Sequence, residues 1–396
     1  MDIKILKNAT KINGTYLSDG IVLEKKETES EFSGINSIHY YLHNIDNDSV
    51  EEILPNIEKY NIGEIVDASF GNEYIYFINL FKNKNIYGTV AVIRYHIKTK
   101  TTESVYSFND NIEEYLKTKR LKLFIINDFY LILQTEYLTL NLQKTYAGYF
   151  NFSLKLFNLK DGMEYEIADE KFVKNGISDI IAVSENQCII KTGFSLLENN
   201  IYTEIEQEEA SLESISFVNI GQMISDLIIM QDNIALDTIE QAFYTKTIPY
   251  IKKEGNYLIY SCVDNEQKEE EIKFYHLDTG EIKSCINQDV IRYSDLASPH
   301  VMNDEPYICI IKEDDISFLN LMTGRVEVKF DDGLQLVHVF KNAVLFSGIT
   351  KKGLLKKSKP YIILYSFPER NVLLNEPGEY VDSLITEDET IYIFEK

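Results

Sequence analysis

The chain contains no tryptophan, and only 7 prolines and 4 cysteines in 396 residues. With so few prolines, no proline-rich linker divides it, so a single domain over 1–396 is expected. Four cysteines cannot frame a disulfide scaffold in a chain this long. Cys188, Cys262 and Cys309 fall in apolar runs, where a reduced cysteine serves as a small hydrophobe. Basic residues are also scarce, 39 Lys and Arg against 63 Asp and Glu, for a net charge of -24. Phosphate backbones and anionic membrane surfaces both need a basic footprint, so neither nucleic acid nor a membrane is expected as a partner. No apolar run approaches the roughly 20 residues of a membrane span. Residues 1–20 mix Lys, Asn, Thr and Asp without the apolar region of a secretory signal. The expectation is a cytoplasmic, monomeric protein.

Catalytic signatures are missing as well. There is no Gly-x-Ser-x-Gly elbow, no phosphate-binding glycine loop and no His-Glu-x-x-His pair. The histidines are His39, His43, His96, His276, His300 and His338. His96 and His276 occupy one position of a repeat, which reads as a polar strand position rather than a metal pair.

What the chain does contain is that repeat. In Phe274–Ile286 an aromatic and a leucine alternate with polar residues, Asp278-Thr279-Gly280 turns the chain, and Ile282 and Ile286 flank a second strand. Seven apolar anchors precede such turns: Ile45, Ile97, Leu159, Ile220, Leu277, Leu321 and Phe367. They recur at a spacing of roughly 40 to 60 positions, the period of a propeller blade stretched by insertions. A second hairpin precedes each, with turns such as Ser18-Asp19-Gly20, Gly255-Asn256 and Asn303-Asp304 leading into apolar runs such as Tyr74-Ile75-Tyr76-Phe77. Near-continuous apolar strands are buried on both faces, as between stacked blades. The unit is therefore four antiparallel strands, and the fold class is an all-β propeller of seven or eight blades. A leftover hairpin near 387–394 needs a partner, because a lone hairpin is marginal in water. The N-terminal strand Ile3-Lys4-Ile5-Leu6-Lys7 can complete it and close the ring.

The repeat resembles those of bacterial β-propellers. The turn Asp278-Thr279-Gly280-Glu281 is similar to the turn of quinoprotein-type blades. Those blades carry a tryptophan after the turn, and its absence here removes the implication of a quinone cofactor. Two stretches interrupt the repeat. Residues 195–210 are polar and acidic and read as a short helix or long loop. Residues 231–246, with Asp237 as a cap-like residue before good helix formers, read as a short helix between blades.

In a four-stranded meander the first-to-second and third-to-fourth turns share one end of the blade. Here they read as uniformly tight. The other end collects the long stretches 26–36, 81–87, 135–149, 195–210, 265–270 and 348–359, and long loops on a rigid scaffold tend to carry function. A protein or small ligand is therefore expected on that face. One loop there is basic, with Lys351, Lys352, Lys356, Lys357 and Lys359 around Leu354 and Leu355, and suits an acidic partner. First strands line the channel of a propeller, and several begin with a carboxylate: Asp67, Asp179, Asp295 and Asp382. Converging there, they would suit Ca²⁺ or a cationic ligand. No organic cofactor is expected. The function expected is non-catalytic binding, with a propeller hydrolase or lyase using channel carboxylates as the alternative.

Overall fold

The computed structural model describes residues 3–6, 14–18, 21–29, 36–45, 49–53, 64–70, 73–82, 87–111, 119–140, 148–193, 213–229, 234–242, 246–267, 269–286, 296–311, 315–330, 334–349, 359–385 and 391–395. The fold is an all-β propeller of eight blades. Blades 1 to 7 span 14–53, 64–111, 119–167, 177–242, 246–286, 296–330 and 334–377, and in each the strands follow one another in sequence order. In blade 5 two short strands, Lys246–Thr247 and Ile251–Glu254, share the first position. Blade 8 joins Tyr380–Ile385 and Ile391–Glu395 to the N-terminal strand Ile3–Leu6. That strand runs parallel to its neighbour, Ile3 opposite Ile391 and Leu6 opposite Phe394. The leftover hairpin thus finds its partner, and the count resolves to eight.

Contacts divide the chain into two compact units, 23–247 and the combination of 1–22 with 248–396. In the first unit, strand alternation assigns side chains to successive blade faces. On Tyr74–Lys82, Tyr76, Ile78 and Leu80 pack with Leu131 and Leu133 of blade 3. Phe77, on the other face, meets Tyr40 of blade 1 at 5.3 Å between ring centroids. Ile132 of blade 3 turns instead to Cys188 and Ile190 of blade 4. In the second unit the same logic joins Ile259 and Phe274 to Ile308, Phe318 to Phe346, and Leu345 and Ile362 to Ile393. Each fully buried Ile or Phe contributes about 2 to 3 kcal/mol. Fourth strands are half-exposed, as edges are: Thr101–Asn111 has no buried residue.

The repeat has a hydrogen-bonding cause. Among the described residues, the residue before an anchor accepts N–H groups of the turn that follows it. Asn320 Oδ1 takes Met322 N–H at 2.7 Å and Thr323 N–H at 3.0 Å. His276 Nδ1 takes those of Asp278 and Thr279 at 3.3 Å each. Asn158, His96 and Ser366 act likewise on Lys160, Thr99 and Glu369. These are Asx-type turns, in which a short acceptor replaces a backbone partner. The anchor's own N–H donates to the neighbouring hairpin turn of the same blade, Ile97 to the Glu73 carbonyl and Leu277 to that of Asn256. Three residues beyond, the chain must enter the left-handed region. Gly162, Gly280 and Gly324 do so at φ 70, 69 and 68°, and Lys100 and Arg370 at 55 and 54°.

Two expectations are corrected. Within 231–246, the residues expected to form a helix do not: Asp237–Ala242 is the fourth strand of blade 4 and pairs with Glu213–Asn219. Strand pairing overrides the helix propensity of its residues. The helix of this connection lies earlier, α2 at Ile220–Ile228, capped by Asn219 Oδ1 accepting Gln222 N–H at 3.0 Å. This third-to-fourth connection is therefore long, and that end of the blades is not uniformly tight. A shorter helix, α1 at Glu170–Asn175, precedes blade 4 between the Asp169 cap and Gly176. Buried Asp169 and Asp226 each accept a backbone N–H of the returning segment, from Ile234 and Ala235. At the other end the strands run further than expected. Tyr130–Leu140 pairs with Gly148–Asn158 along its whole length, which reduces the 135–149 loop to 141–147. The insertion 195–210 lies outside the described residues. Among the described residues no helix is long and apolar enough to cross a membrane.

Candidate functional site

Asp67, Asp179 and Asp382 share a structural setting. Each follows a β-bulge in the first strand of its blade, at Ile65/Asp67, Ile177/Asp179 and Tyr380/Asp382. A bulge leaves one residue unpaired and re-aims the side chains beside it. Asp179 is exposed, and Asp382 is half-buried with Oδ1 accepting the Ser383 N–H at 2.9 Å. Asp67 is described in its backbone alone, and Asp295, Lys351, Lys352, Lys356 and Lys357 lie outside the described residues. Lys359 is exposed. Among the described residues no three His, Cys, Asp or Glu side chains gather to hold a metal ion.

In the unit 23–247, a buried ion pair sits at the base of the 194–212 insertion. Lys191 Nζ lies 3.9 Å from Glu213 Oε2, with side chains 5% and 4% exposed. Thr192 and Ser214, one step along the same strands, share a hydrogen bond of 2.6 Å. Gly193 completes this corner at φ 107°, where a Cβ would stand 2.6 Å from Glu213 Cα.

The richest constellation lies in the other unit, on the first strands of blades 5 to 8, and sequence reasoning passed over most of it. Lys252 Nζ donates to Glu254 Oε1 at 2.7 Å and to the Pro299 carbonyl at 2.8 Å. Glu254 Oε2 accepts the Val301 N–H at 2.7 Å. This clips blade 5 to blade 6 and pairs the two charged groups with each other. Beside it, Ser298 Oγ lies 2.9 Å from His300 Nε2. Burial pushes the His300 imidazole down to about 4, assisted by Lys252 and His338 and opposed by Glu254. On blade 7, His338 stacks on Phe340 at 4.4 Å. Its pKa is lowered by the crowding around it, against the pull of Asp382 and Glu254, although the ring keeps solvent contact. Of the carboxylates named from sequence, Asp382 thus acts electrostatically on one histidine, His338.

No protein-family model matches the chain, and no curated protein matches it. Solved structures do. One from work on two prolyl endopeptidases is similar over 96% of this chain and 53% of its own, at 8% identity and a TM-score of 0.45. The β-propeller domain of the Trilobed protease from Pyrococcus furiosus is similar over 89% and 94%, at 10% identity and 0.41. The acylaminoacyl peptidase of Pyrococcus horikoshii is similar over 98% and 67%, at 11% identity and 0.43. The chain spans about half the length of the prolyl endopeptidase. At such identities these likenesses concern fold alone.

Proposed function

We propose that this chain is a binding module, whose partner docks on the face carrying the second-to-third strand loops and undergoes no covalent change. The observation that carries this reading is the contrast between the first-to-second and the second-to-third strand connections. First-to-second connections stay short throughout blades 1 to 7, from Ser18 to Ile21, Glu254 to Tyr257 and Met302 to Glu305. Second-to-third connections vary widely, from Asp264 to Glu269 up to Thr192 to Glu213 and Ile349 to Pro360. Short first-to-second turns serve the scaffold, while variable second-to-third connections are free to present a surface. The sequence makes the 195–210 connection acidic and the 351–359 connection basic, and charged connections of this kind suit a protein partner with complementary patches.

The test uses the full chain and a partner recovered by crosslinking in cells. Replacing 195–210 with a Gly-Ser linker, or neutralising Lys351, Lys352, Lys356, Lys357 and Lys359 together, weakens the complex at least roughly tenfold and leaves the melting temperature unchanged. Undiminished binding in both variants would defeat the reading. A second reading, a propeller hydrolase or lyase, is favoured by one contact, the 2.9 Å approach of Ser298 Oγ to a neutral His300. Covalent labelling of Ser298 by a fluorophosphonate would place it first.

A further inference from the structure

Blade 8 takes its third strand from the far end of the chain. In blades 2 to 7 the third strand follows the second in sequence and pairs with it antiparallel. Those strands run from five residues, Ile316–Asn320, to eleven, Gly148–Asn158. In blade 8 the position is held by the four residues Ile3–Leu6, paired parallel to Ile391–Glu395. Parallel pairing is slightly the weaker kind per residue. Third strands elsewhere are deeply buried, as Val90 to Ile93, Leu154, Leu156, Ile362 and Leu364 are. Ile3 and Ile5 are only half-buried, and Lys4 is exposed. Beneath them Ile391 and Ile393 are wholly buried. A lightly held strand thus covers an apolar strand edge.

That edge selects a side-chain pattern. Ile3 stands opposite Ile391 and packs with the cluster that holds Ile391 and Ile393, while Ile5 stands opposite Ile393. Lys4, on the other face, donates from Nζ to Tyr392 Oη at 2.8 Å, with Nζ 4.8 Å from the ring centroid. Leu6 stands opposite Phe394. Extending the register by one places the next residue opposite Glu395. This carboxylate is 5% exposed, and its Oε1 is fully buried with no hydrogen-bond partner. Gly378 makes room for it, since a Cβ there would lie 2.6 Å from Oε1. The Gly378 N–H is spent on the Pro360 carbonyl at 3.1 Å. A buried carboxylate oxygen left unbonded is costly, so a donor opposite Glu395 is favoured. The chain's own next residue, Lys7, lies outside the described residues. An arginine fits a carboxylate better than a lysine, because its fork bonds both oxygens.

We propose that the third-strand position of blade 8 is a peptide slot in which Ile3–Leu6 is a displaceable internal occupant. It takes an extended segment of a partner protein that reads apolar, basic, apolar, apolar, arginine, with the arginine opposite Glu395. The segment binds by strand addition, its backbone pairing with Ile391–Glu395. Its first basic residue takes the place of Lys4 over Tyr392. The net charge of -24 draws such a basic segment in from a distance. The slot lies on blade 8 and does not rest on the loop-face reading.

The probe is a fluorophore-labelled peptide, Ile-Lys-Ile-Leu-Arg-Thr, followed by fluorescence anisotropy with the full-length protein. It binds the wild type below about 100 μM, and changing its Arg to Glu weakens it roughly tenfold or more. Glu395→Gln removes most of that preference for Arg over Glu. Ile3→Asp together with Ile5→Asp loosens the internal strand and tightens the peptide roughly tenfold, because the competing occupant is gone. Replacement of 195–210 leaves the peptide affinity unchanged, which separates failure here from failure of the loop-face reading. No binding at about 100 μM to either the wild type or the double variant would overturn the proposal. So would equal binding of the Arg and Glu peptides, or an affinity unchanged in the double variant. A wild-type dimer that the double variant converts to a monomer would give the slot to a second copy, and would equally overturn it. The two wild-type titrations decide the matter even if a variant fails to fold.

Discussion

Acidification tests the environment of His300 directly. Its imidazole is held down to about 4 from an ordinary 6.5, first by burial and then by the Lys252 charge. At neutral pH it carries no charge in either the folded or the unfolded chain, and it costs nothing. As the pH falls through about 6.5, the unfolded chain takes up the proton and the folded one refuses it. Stability attributable to this residue is therefore lost between about pH 6.5 and about pH 4, and levels off below. A shift of about 2.5 units at about 1.4 kcal/mol each gives roughly 3 kcal/mol. His300→Gln removes the titration along with the 2.9 Å contact to Ser298, so the variant is the less stable protein near pH 7.5, by about 1 kcal/mol. The order should reverse toward pH 4. Urea unfolding of both proteins at several pH values measures this, and carboxylates common to both cancel in the difference. A difference that stays constant from pH 7.5 to pH 4 would show that His300 titrates normally, and would refute the argument.

Two further outcomes follow from the packing. Asn320→Ala should cost about 3 kcal/mol in urea unfolding, because this fully buried amide caps the turn at Met322 and Thr323 and its Nδ2 lies 2.6, 2.9 and 2.9 Å from Glu305, Tyr307 and Glu327. A loss below about 1 kcal/mol would show that the turn holds itself. Ellman's reagent should react quickly with half-buried Cys262 and Cys285 in the folded protein, and with Cys188 and Cys309 only on unfolding, since burial pushes those two thiols up to about 12.

The fold was legible because its repeat is enforced locally. Asn320, His276 and Asn158 differ in chemistry, yet each offers one acceptor at the right reach, so the turns recur in sequence although the residues do not. The apolar second and third strands were equally plain, since burial on both faces leaves no polar alternation to misread. The helices were harder. Residues 237–242 have the composition of a helix and become a strand because Glu213–Asn219 offers them a free edge. That edge belongs to tertiary structure, and no local propensity encodes it. The segment that is helical, Ile220–Ile228, begins at an anchor position where blades 2, 3, 5, 6 and 7 make a tight turn, and this hid it.

The site was less legible for a related reason. Sequence reasoning compared third-strand positions, where His96 and His276 align, and their roles are structural: both rings accept turn N–H groups. Had the first strands been aligned on the start of the second strand, Lys252, His300 and His338 would have fallen in one column. The signal was present but carried by three consecutive blades rather than by all. Asp382 escapes that column because the turn of blade 8 is longer, from Ile385 to Ile391. The Tyr380/Asp382 bulge also shifts the register of its strand. A bulge is set by backbone pairing and leaves little trace in side-chain type. Register shifts therefore recur just before Asp67, Asp179 and Asp382, at the start of the first strand in three blades, with no side-chain pattern in the sequence to announce them.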